Sequence, residues 1–300
     1  MNNCIKEQKD KINAAVENLF KELQAGKSDN LKKYLEFAAQ FHTYSFMNTM
    51  LIWTQNPEAT HVAGLRQWNE KDFWVKKGSK AIKIFAPQIA KYYCQDEDKN
   101  SRMFFGQLTK KQRKEIENNP NIDVYEKLFF RVVNVFDIGQ CENKSGKEIP
   151  QFFYNVGNNH KDKYLKLKAI MESQKIKVTA KNGKRAEGTS YGGKVELKEE
   201  RDYDNKLLIL IHEFAHEILH QNKKGDIEIL FSTEVKEVQA EAVSYIVSHF
   251  LGVHNPFSSD YILHWGKDKK ILRESLEVVI KASNKIIGLI KGNREERKVA

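Results

Sequence analysis

Apolar residues recur along this chain at two periods, and the changes of period mark its elements. Ile5, Ile12, Ala15, Val16, Leu19 and Leu23 form one stripe of a helix expected over residues 5 to 25, with Gly26 as its stop. A second helix is expected from about Asn30 to Gln40, and Ser45 caps a third, SFMNTMLIWTQN, which Pro57 follows. LRQWNEKD suggests a short helix. FWVKKGSKAIKIFAPQIAKYY is β-rich with a turn at Gly78, and LFFRVVNVFDI, residues 128 to 138, is a continuous apolar run of strand type. Between them the charged stretch 95–122 has low strand propensity and is expected to be a partly helical excursion, mobile and poorly packed.

After Phe136 the composition turns to CENKSGKEIPQFFYNVGNNHKDK, rich in Asn, Gly and Lys, which reads as a linker. A helix from about Lys161 to Gln174, the strands IKVTA and GKVELKE, and three helices follow: one carrying LIHEFAHEILH, then STEVKEVQAEAVSYIVSHFLG, then KKILRESLEVVIKASNKIIGLIKG. The expected class is α+β in two domains, residues 1–140 and 159–300, joined by a linker at 141–158. At 300 residues the chain is long enough for two cores.

A formal net charge of +10 favours a polyanionic partner over an acidic small molecule. Cys4, Cys94 and Cys141 form no C-x-x-C pair, which argues against a disulfide framework or a thiolate metal site and for a reducing cytoplasm. The first twenty residues lack the apolar core of an export signal, and no segment reaches 18 apolar residues, so no membrane partner is expected.

In the first buried helix of the second half, His212, Glu213, His216 and His220 fall on one stripe of an otherwise apolar surface. His212-Glu213-Phe-Ala-His216 has the H-E-x-x-H spacing: two imidazoles one turn apart bind one zinc ion, with Glu213 as general base. His220 lies eight residues from His212, roughly 12 Å along the axis at about 1.5 Å per residue. It is therefore placed beside the ligands rather than among them. The third ligand is expected from the next helix, where Glu237, Ala240, Glu241, Ser244 and Ser248 form a stripe of small residues and carboxylates. Glu237 is assigned as ligand and Glu241 as the partner of a ligand histidine, with the reverse assignment as the alternative. Two imidazoles and a carboxylate leave a fourth position for water, as peptide-bond hydrolysis needs. GKVELKE is the candidate edge for an extended peptide, and Tyr191, Tyr245, Tyr261 and His264 are candidate oxyanion donors.

In WVKKGSKAIKIF, Lys76, Lys77, Lys80 and Lys83 alternate with Phe73, Trp74 and Phe85, a pattern suited to phosphates and stacked bases; the competing reading is a β-hairpin whose lysines are merely solvated.

TYSFMNTMLIWTQNPEATHVAGLRQWNEKDFWVKKGSKAIKIFAP and FRVVNVFDIGQ resemble the N-terminal single-stranded-DNA-binding domain of ArdC-type antirestriction proteins. HEFAHEILH, KEVQAEAVSYIV and DYILHWGKD resemble their zincin-type metallopeptidase domain, itself similar to the ImmA/IrrE peptidases. The resemblance implies a protein of mobile genetic elements that binds single-stranded DNA and helps transferred DNA escape restriction. His212 and His216 match the family's metal histidines, Glu213 its catalytic glutamate, and Glu237 and Glu241 its downstream acidic pair. Tyr44, Asn48, Arg66, Trp68, Lys77 and Gly78 fall in its DNA-binding motif. The stretch 95–122 departs from the family pattern. Two other readings stand beside this one: a DNA-protection factor whose metal domain cuts nothing, and a regulatory peptidase that cleaves a repressor.

Overall fold

The computed structural model describes residues 3–94, 101–143, 146, 159–183, 185–221, 231–256 and 264–292. The first half comprises α1 (Asn3–Gln24), α2 (Asp29–Gln40), α3 (Phe46–Gln55), β1 (Val62–Ala63), α4 (Leu65–Asn69), β2 (Phe73–Val75), β3 (Ile82–Cys94), β4 (Arg102–Phe104), α5 (Lys110–Glu117), β5 (Val124–Asp137) and β6 (Cys141–Asn143). The second comprises α6 (His160–Ser173), β7 (Lys177–Lys181), β8 (Gly188–Ser190), β9 (Lys194–Lys198), α7 (Tyr203–Leu219), α8 (Thr233–Phe250) and α9 (Lys269–Ile290). The class is α+β.

β3 and β5 pair antiparallel from Ile82 opposite Val135 to Tyr93 opposite Val124, in a sheet of order β1-β5-β3-β4. At its start β3 has a second edge that no described strand covers, and α3 closes it. Asn48 donates to the Phe85 carbonyl and accepts from its N–H, both at 2.8 Å; Gln55 does the same at Lys83, at 2.9 and 3.0 Å. Two amides seven residues apart on one helix face thus stand in for a neighbouring strand and satisfy donors and acceptors that burial would otherwise penalise.

The turn at Gly78 forms, with φ +87°, but the hairpin reading fails. β2 pairs with β6, not with β3, because Phe73 belongs to a small separate core with Trp68, Ile138 and Cys141. In the charged excursion the described residues 101–122 supply β4 and α5, and Phe105 and Ile116 are buried there, so this part is packed against the sheet. Residues 95–100 and nearly all of the linker at 141–158 lie outside the described residues.

β7 runs parallel to β9 and β8 antiparallel to it, in the order β7-β9-β8. One hydrophobic core runs through both halves: Leu31, Leu35 and Phe37 of α2 share it with Val243, Ile246 and Val247 of α8 and Ile286 of α9. Tyr245 of α8 donates to Glu36 of α2 at 2.5 Å, and Asn284 of α9 to the Tyr44 carbonyl at 2.7 Å. The two halves are therefore two topologies built on a shared interior, and Cys141–Asn143, expected in the linker, belong to the first half as β6 because they pair with β2.

Candidate metal centre

α7 starts on an Asp202 cap that accepts from the Asn205 N–H, and it buries Leu207, Leu210, Ile211, Phe214 and Ala215 completely. A helix enclosed on that scale forces any polar side chain on its remaining face to find partners. His212 and His216 find each other and α8: their Nε2 atoms stand 3.0 Å apart. Glu237 places one carboxylate oxygen 3.5 Å from His212 Nε2 and the other 3.5 Å from His216 Nε2. These three are the group of donor atoms, among the described residues, close enough to share one ion. Ligands bound at 2.0–2.1 Å around one tetrahedral ion stand roughly 3.4 Å apart; one donor atom from each of these residues lies within 4.8 Å of the others, a set that a divalent metal could draw together. Glu241 Oε1 stands 3.2 Å from His212 Nδ1, on the far side of the ring, within ion-pair reach though off the ring's hydrogen-bonding direction. Of the two assignments for the acidic pair, this geometry favours Glu237 at the ligand position.

α7 ends at Leu219, and His220 caps it, its N–H donating to the His216 carbonyl at 2.8 Å. Its Nε2 turns to the Lys236 carbonyl at 3.1 Å, away from the donor triangle. Burial, aided by the neighbouring His216, pushes the His220 pKa down to about 4, so this imidazole is neutral. Burial also opposes charge on His212, but the carboxylates of Glu237 and Glu241 outweigh it and hold its pKa up to about 10. The same contacts to His212 and His216 hold the Glu237 carboxyl far below the usual carboxylate range. Protons and a cation compete for these donors.

A cleft of 640 Å³ opens over the triangle, lined by Gly188, Thr189, Ile209, Glu213, Glu241 and Asn255 among others. Gly188 cannot carry a side chain: a Cβ there would lie 2.4 Å from Glu213 Oε1 and 2.6 Å from Ile209 Cγ2. Glu213 thus occupies a slot between α7 and the backbone of β8. The strand at the cleft is β8, because β9 is central in its sheet and both its edges are paired; GKVELKE is therefore not the edge.

One turn beyond Glu213, Glu217 is buried, a residue that no sequence pattern singles out. It accepts from Ser190 Oγ at 2.7 Å, from the Gly192 N–H at 3.0 Å and from the Gly193 N–H at 2.7 Å. Gly192 and Gly193 have φ of +76° and +93°, a conformation that favours glycine and turns both N–H groups onto one carboxylate. The β8–β9 turn is tied to α7 this way. The pair Gly192-Gly193 is the signal in the sequence, but nothing there points to its partner. Tyr191 is exposed on that turn with its hydroxyl toward Glu196, and the Tyr245 hydroxyl donates to Glu36. Tyr261 and the His264 side chain lie outside the described residues.

The DNA candidates divide by burial. Asn48 is 3% exposed and closes the β3 edge; Trp68 is 2% exposed, with its indole N–H on the Phe136 carbonyl at 2.8 Å. Tyr44 is half-buried and donates to the Val62 carbonyl at 3.0 Å. These three serve the fold, and turning them outward would leave main-chain groups of the interior unpaired. Arg66, Trp74, Lys76, Lys77 and Lys80 are exposed, and Lys83 is half-buried. Lys80 and Lys83 line a groove of 890 Å³ with Lys11, Trp53, Asn56 and Gln140. Trp53 rests edge-on against Tyr34, and its place in an apolar helix hides it from a reading of the sequence.

Residues 2–136 match the family model described as the N-terminal domain of anti-restriction factor ArdC. The chain is 28% identical over 301 residues to the uncharacterized Bacillus anthracis protein pXO2-81, in an alignment covering 90% of this chain and 50% of that protein. It thus spans about half the length of the curated relative it matches. Its fold is similar to that of the antirestriction protein ArdC from the R388 plasmid. In the metal-free crystal structure the TM-score is 0.54 at 13% identity, with 95% of this chain and 100% of that one covered. In the Mn(II)-bound structure the TM-score is 0.52 at 12% identity, with 96% and 99% covered. At these identities the likeness is one of fold.

Proposed function

We propose, from the match of residues 2–136 to the ArdC N-terminal domain and from the ArdC-like fold, an antirestriction protein of a mobile genetic element that binds single-stranded DNA through its first half and hydrolyses a peptide bond in its second. The observation that carries the reading is the triangle of His212, His216 and Glu237 with Glu213 beside it in an open cleft. A divalent ion bound there, zinc by its imidazole and carboxylate ligands, supplies the Lewis acidity for water and for the scissile carbonyl. His212 and His216 would present Nε2 to it, with the Glu241 carboxylate 3.2 Å from Nδ1 on the far side of the His212 ring favouring that ring by charge. Glu213 takes the proton of the attacking water and returns it to the leaving amine. β8 offers its outer edge to an extended peptide, and Glu217 keeps that strand at a fixed height over α7.

For DNA, the groove lined by Lys80 and Lys83 offers phosphate contacts with Trp53 as a stacking surface, its Lys11 being paired with Glu7 at 2.9 Å, and Trp74, Lys76, Lys77 and Arg66 are further exposed candidates. The protein substrate would be one met on or near that DNA, in the cytoplasm, where the free thiols of Cys4, Cys94 and Cys141 stay reduced. No described helix is long and apolar enough to cross a membrane.

Elemental analysis of the purified protein should find close to one divalent ion per chain, lost on His216→Ala. Glu213→Gln should keep the ion and abolish cleavage of host proteins. If that variant protects transferred DNA as well as the parent does, peptide hydrolysis is not the protein's task.

A further inference from the structure

β5 leaves an open edge where the surface is most apolar. On one side it pairs with β3; on the other, β1 reaches only Phe136 and Asp137, so among the described residues no strand pairs with the outer edge from Val124 to Val135. Ten large apolar side chains are exposed among the described residues, and five sit on this ribbon: Ile89, Val124, Leu128, Phe129 and Phe130. Ile89 and Leu128 face each other across the register, 63% and 56% exposed, with Pro87 opposite Phe130 beside them. Edges are usually blunted by charge, proline or a bulge. Leu128-Phe129-Phe130 carries none of these, and the register with β3 is unbroken.

The main chain faces outward at defined residues. Asn48 binds the N–H and carbonyl of Phe85, which therefore point away from β5. Phe85 lies opposite Val132, so by alternation Glu126, Leu128, Phe130 and Val132 turn their own N–H and carbonyl groups to the open edge.

We propose that this edge is a self-association surface, on which two copies of the chain join β5 to β5 antiparallel about a two-fold axis at Leu128. Residues on one face of such a pair meet when their numbers add to an even constant. With Leu128 opposite its own copy, Phe130 meets Glu126, Lys127 meets Phe129 and Tyr125 meets Arg131. No like charges oppose, and both cations lie on aromatic rings, as the Lys127 ammonium already does at 5.4 Å from its own Phe129. Centres at Glu126, Lys127 or Phe129 set Glu against Glu, Lys against Lys or Lys against Arg. The Leu128 centre also keeps the pairing where Glu126 through Arg131 are all exposed. A nucleic acid would suit Lys127 and Arg131 but leave the outward main chain and the Ile89–Leu128 patch unmatched.

Light scattering on the full chain should show the mass doubling as concentration rises, and Leu128→Asp should hold it at the monomer mass with an unchanged circular dichroism spectrum. With Cys4, Cys94 and Cys141 changed to Ser, Leu128→Cys should form an interchain disulfide at least tenfold faster than Glu126→Cys. The two copies of residue 128 come within disulfide reach, whereas those of residue 126 are held apart by four residues of strand. A chain monomeric at every concentration overturns the proposal, as does equal cross-linking at the two positions. So does a Leu128→Asp variant whose only defect is weaker binding of oligo-dT, which would assign the edge to nucleic acid.

Discussion

The metal cleft and the basic surface hold polar groups in opposite ways. In the cleft, His212, His216, Glu237 and Glu241 are held by one another and by two packed helices, so each position constrains the next. On the basic surface, Lys77 and Lys80 project into solvent, and what they meet is set by a partner rather than by the fold. A buried polar group declares its geometry, and an exposed one declares only its charge.

Substitutions should separate the two regions by size of effect. The largest is expected at Glu213: the change to Gln should lower peptide cleavage by about 10²–10⁴-fold with the metal content unchanged. A parallel loss of metal would place Glu213 among the ligands and redraw the cleft. Glu217→Ala removes the acceptor of three hydrogen bonds and should cost about 3 kcal/mol in urea unfolding. Stability equal to the parent's would mean that the β8–β9 turn needs no tie to α7.

Asn48→Ala tests whether a residue from the DNA-binding motif is structural. It should cost about 2 kcal/mol by leaving the Phe85 N–H and carbonyl unpaired, while the salt dependence of oligonucleotide binding stays as it was. Lys80→Ala and Lys83→Ala should do the reverse, with stability within about 0.5 kcal/mol of the parent and the log–log salt slope shallower by about 0.7 for each phosphate left without its lysine. A slope that moves with Asn48 and not with the lysines would invert the comparison.

Acid should act on the interior between the two regions. Burial pushes His42 and His61 down to about 4, below the ordinary 6.5. Their unfolded forms take up protons first, so the contribution of these two histidines is constant above pH 6.5 and is lost as pH drops from there toward 4. The urea midpoint should decline over that window, and His42→Gln should flatten the decline.

Periodicity placed α1, α2, α3, α6, α7, α8 and α9 within a few residues, because amphipathic stripes and caps such as Ser45 are local. The H-E-x-x-H spacing located two corners of the donor triangle for the same reason, since His212 and His216 lie on one helix. Glu237 was legible from the small-residue stripe on α8, whose Ser244 and Ser248 are almost fully buried. Strand partners were not legible. The stretch around Gly78 looked like a hairpin because alternation shows that a strand exists without showing what it pairs with.

The helices, the two histidines of the donor triangle and the excess of positive charge were written in the chain, all properties of neighbouring residues or of composition. Only the tertiary structure decided that Asn48 and Trp68 are structural, that β8 rather than β9 borders the cleft, that Glu217 fastens it, and that one core unites both halves. Each of these depends on groups far apart in the chain: Glu217 lies 24 to 27 residues from its donors and Asn48 37 residues from Phe85. The pairing of such groups is fixed by which main-chain donors and acceptors remain unsatisfied once the chain has closed on itself, a condition that no local pattern carries.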